Sequence, residues 1–429
     1  MTHPDPWRPH LLPEFRDRFP TWSDLTSAVA QQAGGPEFDS SRALQQLIMT
    51  DLLVGLNQCS HEWHLLGSLA LPVRPHSDDP WPETMRPVQT GFHPAYCMPR
   101  TAFDLDLFAH SLRQRDAHDY GREVLAAIHD IAPPVSQPGR SSTAGPVGLG
   151  GLLRYSANAL TVHDSGQVMG TLNAQPVDDR YGPNRAVAVA DPIVVEIDIK
   201  PPSKMVYVGP PDISHRSVTA LDLHGLMPVR PTLFPITNQI ADKLVLLTGP
   251  PTSLRGNNTT AWHRYKDLID LHYLISTCRV DGDLLRQAVA TNWNWNRMDT
   301  ERLPVPYRVY GQSPLAAPDE RQVPWEAEID ALRHRWPQLR AYPRFSAMVD
   351  TVSHFTAELS TAQGSRWRPG QGWEPDPTAA ARAAQRALYA REDRARSART
   401  QHTSTTPPPA AGPQHRGGPD QTRGPGLRP

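Results

Sequence analysis

Two short segments carry more carboxylates than a solvated sheet face needs. In Phe103-Asp104-Leu105-Asp106-Leu107-Phe108, apolar and acidic residues alternate through Leu107. That period predicts a strand whose Leu105 and Leu107 face a core while Asp104 and Asp106 share the other face. Two carboxylates about 7 Å apart on one strand repel each other unless a cation lies between them. Mg²⁺ suits that place, because it takes oxygen ligands and leaves positions for substrate phosphates. In the second segment Ile193, Val195, Ile197 and Ile199 form one face, and Glu196 and Asp198 the other. If the two strands are neighbours, three or four carboxylates converge. A third carboxylate beside a metal-holding pair can accept the proton of an attacking hydroxyl or complete a two-metal site. The plainer alternative is a sheet with one wet face, although Asp is depleted in strands.

Phosphate-binding groups are the natural complement. Gly67-Ser68 falls where a short apolar run, Trp63 to Leu71, reads as a strand turning into a helix. Glycine lets backbone approach a phosphate closely, free N–H groups at a helix start favour an anion, and Ser68 adds a hydroxyl. The same dipeptide would also serve as an ordinary helix cap. The chain has 43 basic residues, but its only lysines are Lys200, Lys204, Lys243 and Lys266, all within residues 200–266. A composition that otherwise writes arginine makes that window the first place to seek an anion, since lysine is a compact point charge.

Within it, Ile236, Ile240, Lys243, Leu244 and Leu247 form one helical stripe, so Lys243 faces the core. A buried ammonium needs an anion. Two are open to it: the phosphates of a nucleotide, or a salt bridge to Asp267 or Asp270. A third possibility is a stem that snorkels to water. Arg264, Lys266, Asp267 and Asp270 cluster at the start of the next helix. Acids there suit the helix dipole, which accounts for Asp270. Asp267, beside Lys266, is assigned to the site.

The elements that must position these groups follow from periodicity. Ser40 and Ser41 open an amphipathic helix through Leu56; Val124, Leu125, Ile128 and Ile131 mark another. Residues 152–173 alternate around Asp164-Ser165-Gly166, a hairpin. Pro235 precedes a helix from Ile236 to about Thr248, and a second runs from about Tyr265 to Cys278. Helical patterns continue at 284–290, 325–336 and 345–359. Strands dominate residues 63–200 and helices 236–360, an α+β order.

Composition bounds the rest. Of 429 residues, 38 % are hydrophobic and 46 are proline, and the net charge of −1 points to no polyanion by itself. Cys59, Cys97 and Cys278 lie far apart, so neither a disulfide framework nor a Cys-rich zinc site is expected, and a reducing, cytoplasmic setting fits. No signal peptide and no membrane span are expected. His61 and His64 lack a third ligand in the sequence and are assigned packing or surface roles.

Taken in order, Leu65-Leu66-Gly67-Ser68-Leu69-Ala70-Leu71, Asp104-Leu105-Asp106-Leu107, Val195-Glu196-Ile197-Asp198-Ile199, Ile240-Ala241-Asp242-Lys243-Leu244 and Arg264-Tyr265-Lys266-Asp267-Leu268-Ile269-Asp270-Leu271 resemble the AbiEii/AbiGii toxin family of nucleotidyltransferases, which includes the MenT-like enzymes. The likeness spans about residues 40–280. It implies a polymerase-β-like core with a mixed sheet, Mg²⁺-dependent use of an NTP, a tRNA or other RNA acceptor, and a toxin role opposed by a cognate antitoxin. By position, Gly67 and Ser68 match the glycine-serine motif, Asp104 and Asp106 the metal ligands, Lys243 the phosphate-side lysine, and Lys266-Asp267 the last motif, with Arg264 beside it. Asp198 is taken as the strand acid and third metal ligand, with Glu196 second. The family sets its first two motifs close together; here residues 69–103 intervene.

The domain reading is an N-terminal extension (1–38), a nucleotidyltransferase core (39–235) with a Pro-rich insertion at 72–100, a helical domain completing the site (236–363), and a disordered Arg/Pro/Gly-rich tail (364–429). The Arg-rich stretch at 379–399 could tether RNA or be a solvated helix. Two other functions fit the same residues: a small-molecule, antibiotic-type nucleotidyltransferase, and a non-catalytic binding protein on the same fold.

Overall fold

The computed structural model describes residues 10–32, 40–59, 61–74, 104–134, 147–178, 186–202, 205, 207–214, 217–218, 221–248, 265–295, 322–335, 343–381 and parts of 383–395. Arg264, Lys204, most of the 72–100 insertion and the 249–264 loop lie outside them.

The chain opens with α1 (Pro13–Arg18), α2 (Trp22–Gln32) and α3 (Ser40–Gln58). A short β1 (Trp63–Leu65) turns into the four-residue α4 (Gly67–Ala70). Next come β2 (Asp104–Ala109) and α5 (Ala117–Ile131), whose first turn is capped by Asp116 accepting from the Asp119 N–H. The remaining strands of the large sheet are β3 (Val147–Gly148), β4 (Leu153–Val162), β5 (Val168–Asp178), β6 (Val187–Ala188), β7 (Ile193–Ile199), β8 (Asp212–Ile213) and β9 (Thr232–Leu233). Then follow α6 (Ile236–Thr248), α7 (Tyr265–Thr277), β10 (Val280–Asp281), α8 (Gly282–Trp295), α9 (Gln322–Arg335), α10 (Phe345–Ala357), β11 (Ser365–Arg368) and β12 (Gly372–Pro375).

The large sheet runs β3-β4-β5-β7-β2-β1-β9-β8, with β6 on β5. It is mixed: β7 and β2 are parallel, β5–β7 and β2–β1 antiparallel, β1–β9 parallel. The architecture is therefore α+β with a mixed sheet. The β4–β5 hairpin turns through Gly166 at φ 85°, a conformation glycine adopts without strain. One face of the sheet is the main core, where Leu105, Leu107, Val195 and Ile197 cluster with Leu47 and Leu52 of α3 and Val124 and Ile128 of α5. Parity then sends Asp104, Asp106, Glu196 and Asp198 to the opposite face. A second core joins α6, α7 and α8 to Trp325 of α9, Phe355 of α10 and Trp367 of β11.

Helix α6 starts where the fold needs it. Pro235 ends the preceding extended segment, and the Asp212 carboxylate accepts from the Ile236 N–H at 2.7 Å. Arg74, fully buried, donates to the same carboxylate at 2.7 Å, to the Phe234 carbonyl at 2.8 Å and to Gln239 Oε1 from its Nε at 2.9 Å. Gln239 Nε2 in turn donates to the Gly67 carbonyl at 3.0 Å. This chain of bonds fastens α6 to the turn after β1.

The boundary of order at residue 364 is corrected. Residues 365–375 form β11 and β12, which extend a three-stranded sheet from β10. Trp367 is buried and donates to the Ile275 carbonyl at 2.7 Å, and Trp373 Nε1 donates to the Phe355 carbonyl at 2.9 Å. Two tryptophans bury enough apolar surface to order a segment whose Gly and Arg content reads as tail. Residues 1–383 form one compact unit and 384–429 another. The described residues of 383–395 are helical and exposed, as a solvated helix would be. Among the described residues no helix is long and apolar enough to cross a membrane.

Candidate active site

Strands β2 and β7 lie side by side and in parallel, with Asp104 opposite Glu196 and Asp106 opposite Asp198. Neighbouring strands are about 4.8 Å apart, so four carboxylates from two separate stretches occupy one patch. Asp106 is 7 % exposed, Asp104 and Asp198 are half-buried, and Glu196 is exposed. The convergence expected from the alternation is present, and burial favours Asp198 over Glu196 as the inner member.

The turn after β1 presses on this patch. Leu66 N–H donates to the Asp106 carbonyl at 3.1 Å, and Gly67 adopts φ 70°. A β-carbon on Gly67 would stand 1.8 Å from Asp106 Oδ2, so only glycine lets the backbone lie this close. Ser68 is 4 % exposed, and its Oγ has no hydrogen-bond partner among the described residues. A buried hydroxyl without a partner is costly unless something else supplies one.

Asp198 is held on both oxygens. Gln167 Nε2 donates to Oδ1 at 2.6 Å, and the Lys200 ammonium pairs with Oδ2. Burial works against the charge on Lys200, but Asp106, Asp198 and Asp242 outweigh it and raise its pKa above the usual lysine value. Lys200 is thus a cation set among three carboxylates. The β2–β7 ladder fixes it there, since Lys200 N–H donates to the Leu107 carbonyl at 3.0 Å and Tyr120 Oη to the Lys200 carbonyl at 2.7 Å. Gln167 did not stand out in the sequence, and Lys200 did so only as one of the four clustered lysines, without being assigned to the site. For Lys200 a signal existed: the alternation Glu196, Asp198, Lys200 continues one step past the strand. For Gln167, at the end of a hairpin turn, there was none.

Lys243 is buried, and of its readings the structure has the salt bridge, to both partners: Nζ lies 3.1 Å from Asp267 Oδ1 and 2.7 Å from Asp270 Oδ2. Asp270 is fully buried and Asp267 is 9 % exposed. Gln239, which holds Gly67, is four residues from Lys243 on the same face of α6. Lys266 is exposed at the start of α7. The donor set of Asp104, Asp106 and Asp198 is all carboxylate oxygen, hard and densely charged, which fits Mg²⁺.

No protein-family model matches the chain, and no curated protein matches it.

His64 is fully buried, in keeping with a packing role, and the fold sets beside it Glu62 and His110, which the sequence alone did not place there. Its Nε2 lies 3.1 Å from Glu62 Oε1, and His110 Nδ1 lies 3.3 Å from Glu62 Oε2. Hydrogen bonds from His110 and His64 hold the Glu62 carboxyl well below the usual carboxylate range. His110 follows β2, 46 positions after His64, so only the β1–β2 pairing brings the two together.

Proposed function

We propose that this chain is a Mg²⁺-dependent nucleotidyltransferase of the AbiEii/AbiGii type, moving a nucleotide from an NTP to an RNA acceptor such as a tRNA end. The observation that carries the reading is the in-register pairing of Asp104-x-Asp106 with Glu196-x-Asp198 beneath a Gly67 turn that touches Asp106. The fold supports it by being α+β with the acidic strands central in a mixed sheet.

Asp104, Asp106 and Asp198 would hold Mg²⁺, which when bound offsets triphosphate charge and favours attack at the α-phosphorus. The chain's own groups do the rest. Backbone at Gly67-Ser68 and the unpartnered Ser68 hydroxyl receive phosphate oxygens. Lys200, already at the carboxylates, turns to a phosphate oxygen and frees Asp198 Oδ2. That oxygen takes the proton of the acceptor hydroxyl as the new P–O bond forms and pyrophosphate leaves. Lys243, tied to Asp267 and Asp270, is the second cation offered to the phosphates, and Lys266, exposed at the start of α7, is a third. A toxin role would require a partner antitoxin that blocks this face.

The test is incubation of purified protein with Mg²⁺, each α-labelled NTP and total tRNA. Label in RNA that disappears in Asp104→Ala supports the proposal. Label only in small molecules transfers the reading to an antibiotic-type enzyme, and no label with any NTP overturns it in favour of a binding protein.

A further inference from the structure

We propose that Glu62, His64 and His110 form a second metal site, for a borderline transition ion such as Zn²⁺ or Co²⁺, independent of the carboxylate patch and of the nucleotidyl-transfer reading. One ligand atom from each residue comes within 4.8 Å of the other two. Each imidazole nitrogen meets a different carboxylate oxygen, His64 Nε2 at 3.1 Å from Oε1 and His110 Nδ1 at 3.3 Å from Oε2, spacings close to the edge of a zinc tetrahedron, about 3.3–3.5 Å for bonds near 2.0–2.1 Å. Two imidazoles and one carboxylate, with Glu62 half-exposed beside them, leave a fourth position open to water.

The frame around the three is built. His110 N–H donates to the Glu62 carbonyl at 2.8 Å, and Glu62 N–H donates to Ser111 Oγ at 3.2 Å. These bonds hold two ligand-bearing backbones together before any ion arrives. Tyr207 Oη lies 3.2 Å from His64 Nδ1 on the side away from Glu62, the outer bond that orients a ligating imidazole. The His64 and His110 rings stack with centroids 4.6 Å apart and planes 16° from parallel, so one ring must turn about its Cβ–Cγ bond for both in-plane lone pairs to meet at one ion.

One group opposes the ion. Arg113 Nη1 lies 2.9 Å from His110 Nε2 and 3.3 Å from Nδ1. An atom that near both ring nitrogens would collide with the carbon between them if it lay in the ring plane. It therefore sits over the ring, leaving the in-plane lone pairs clear while its charge repels a cation. The alternative is a network in which both histidines only hydrogen-bond to Glu62. The carboxylate patch is separate: His110 is four residues beyond Asp106, about 13 Å at strand rise.

The site would clamp β1 to the end of β2, three residues before Gly67. The test is titration of the metal-stripped full chain with Co²⁺, followed by visible d–d absorption, then displacement by Zn²⁺. The expected result is a tetrahedral-type spectrum that saturates at one equivalent and a melting temperature raised by Zn²⁺. His64→Gln and His110→Gln should lose the spectrum, and Tyr207→Phe should weaken binding about tenfold. Arg113→Ala, a half-exposed position, should tighten it, which a purely hydrogen-bonded network would not produce. Asp106→Asn should leave it unchanged. Absence of a tetrahedral-type Co²⁺ spectrum in the wild-type chain overturns the proposal. So does an unaltered spectrum in both glutamine variants, or its loss in Asp106→Asn.

Discussion

Gly67 and Asp106 are in such close contact that a single methyl group would collide with the carboxylate, at 1.8 Å from Oδ2. Gly67→Ala must therefore displace either the turn or Asp106, and alanine at φ 70° adds about 1–2 kcal/mol of backbone strain. The expected outcome is a modest loss of stability in urea unfolding, together with a loss of nucleotide transfer of at least about a hundredfold, the order seen when a positioning contact shifts by an ångström.

Lys200 is expected to compete with the divalent ion. It supplies positive charge to Asp106 and Asp198, and a third of its side chain meets solvent, so the pairing is screened. Lys200→Met should bind Mg²⁺ about fivefold tighter, as loss of a roughly 1 kcal/mol competing pair implies. Thermal melts would show Mg²⁺ stabilising the variant more than the wild type, while transfer from NTP falls.

Lys243 separates structure from chemistry. Lys243→Met leaves Asp270 buried without its cation and should cost about 3–5 kcal/mol. Adding Asp270→Asn should recover much of that in a double-mutant cycle. If Lys243 also serves phosphate, the double variant regains stability but not transfer; recovery of both would confine Lys243 to the salt bridge.

His272 makes stability depend on pH. Burial, at 4 % exposure, lowers its pKa from 6.5 to about 4. Between those values the unfolded chain binds a proton that the folded chain does not, so stability is complete above about pH 6.5 and falls as pH drops toward 4. At pH 5 the loss from this group is about 2 kcal/mol. Urea unfolding at pH 7 and pH 5 should show a smaller difference in His272→Gln than in wild type.

Much of this arrangement was legible in the sequence, because period and parity decide which face a side chain takes. Asp104 and Asp106, and Glu196 and Asp198, share faces as their alternation requires, and the bounds of α6 and α7 follow from Pro235 and the apolar stripes. What local pattern cannot carry is pairing. That β7 lies beside β2, and that His110 stacks on His64, depend on contacts distant in the chain. Composition misled at β11 and β12, where Trp367 and Trp373 outweigh glycine and arginine. Lys243 shows a different limit: burial was readable, but its choice among anions was not.

The most direct measurement is Mn²⁺ binding followed by electron paramagnetic resonance in the full-length wild-type chain and in Asp106→Asn. The account expects the wild type to hold one more tightly bound Mn²⁺ than the variant, with Mg²⁺ competing for that ion. Equal number and affinity in the two chains would contradict it, because the paired carboxylates of β2 and β7 would then hold no cation.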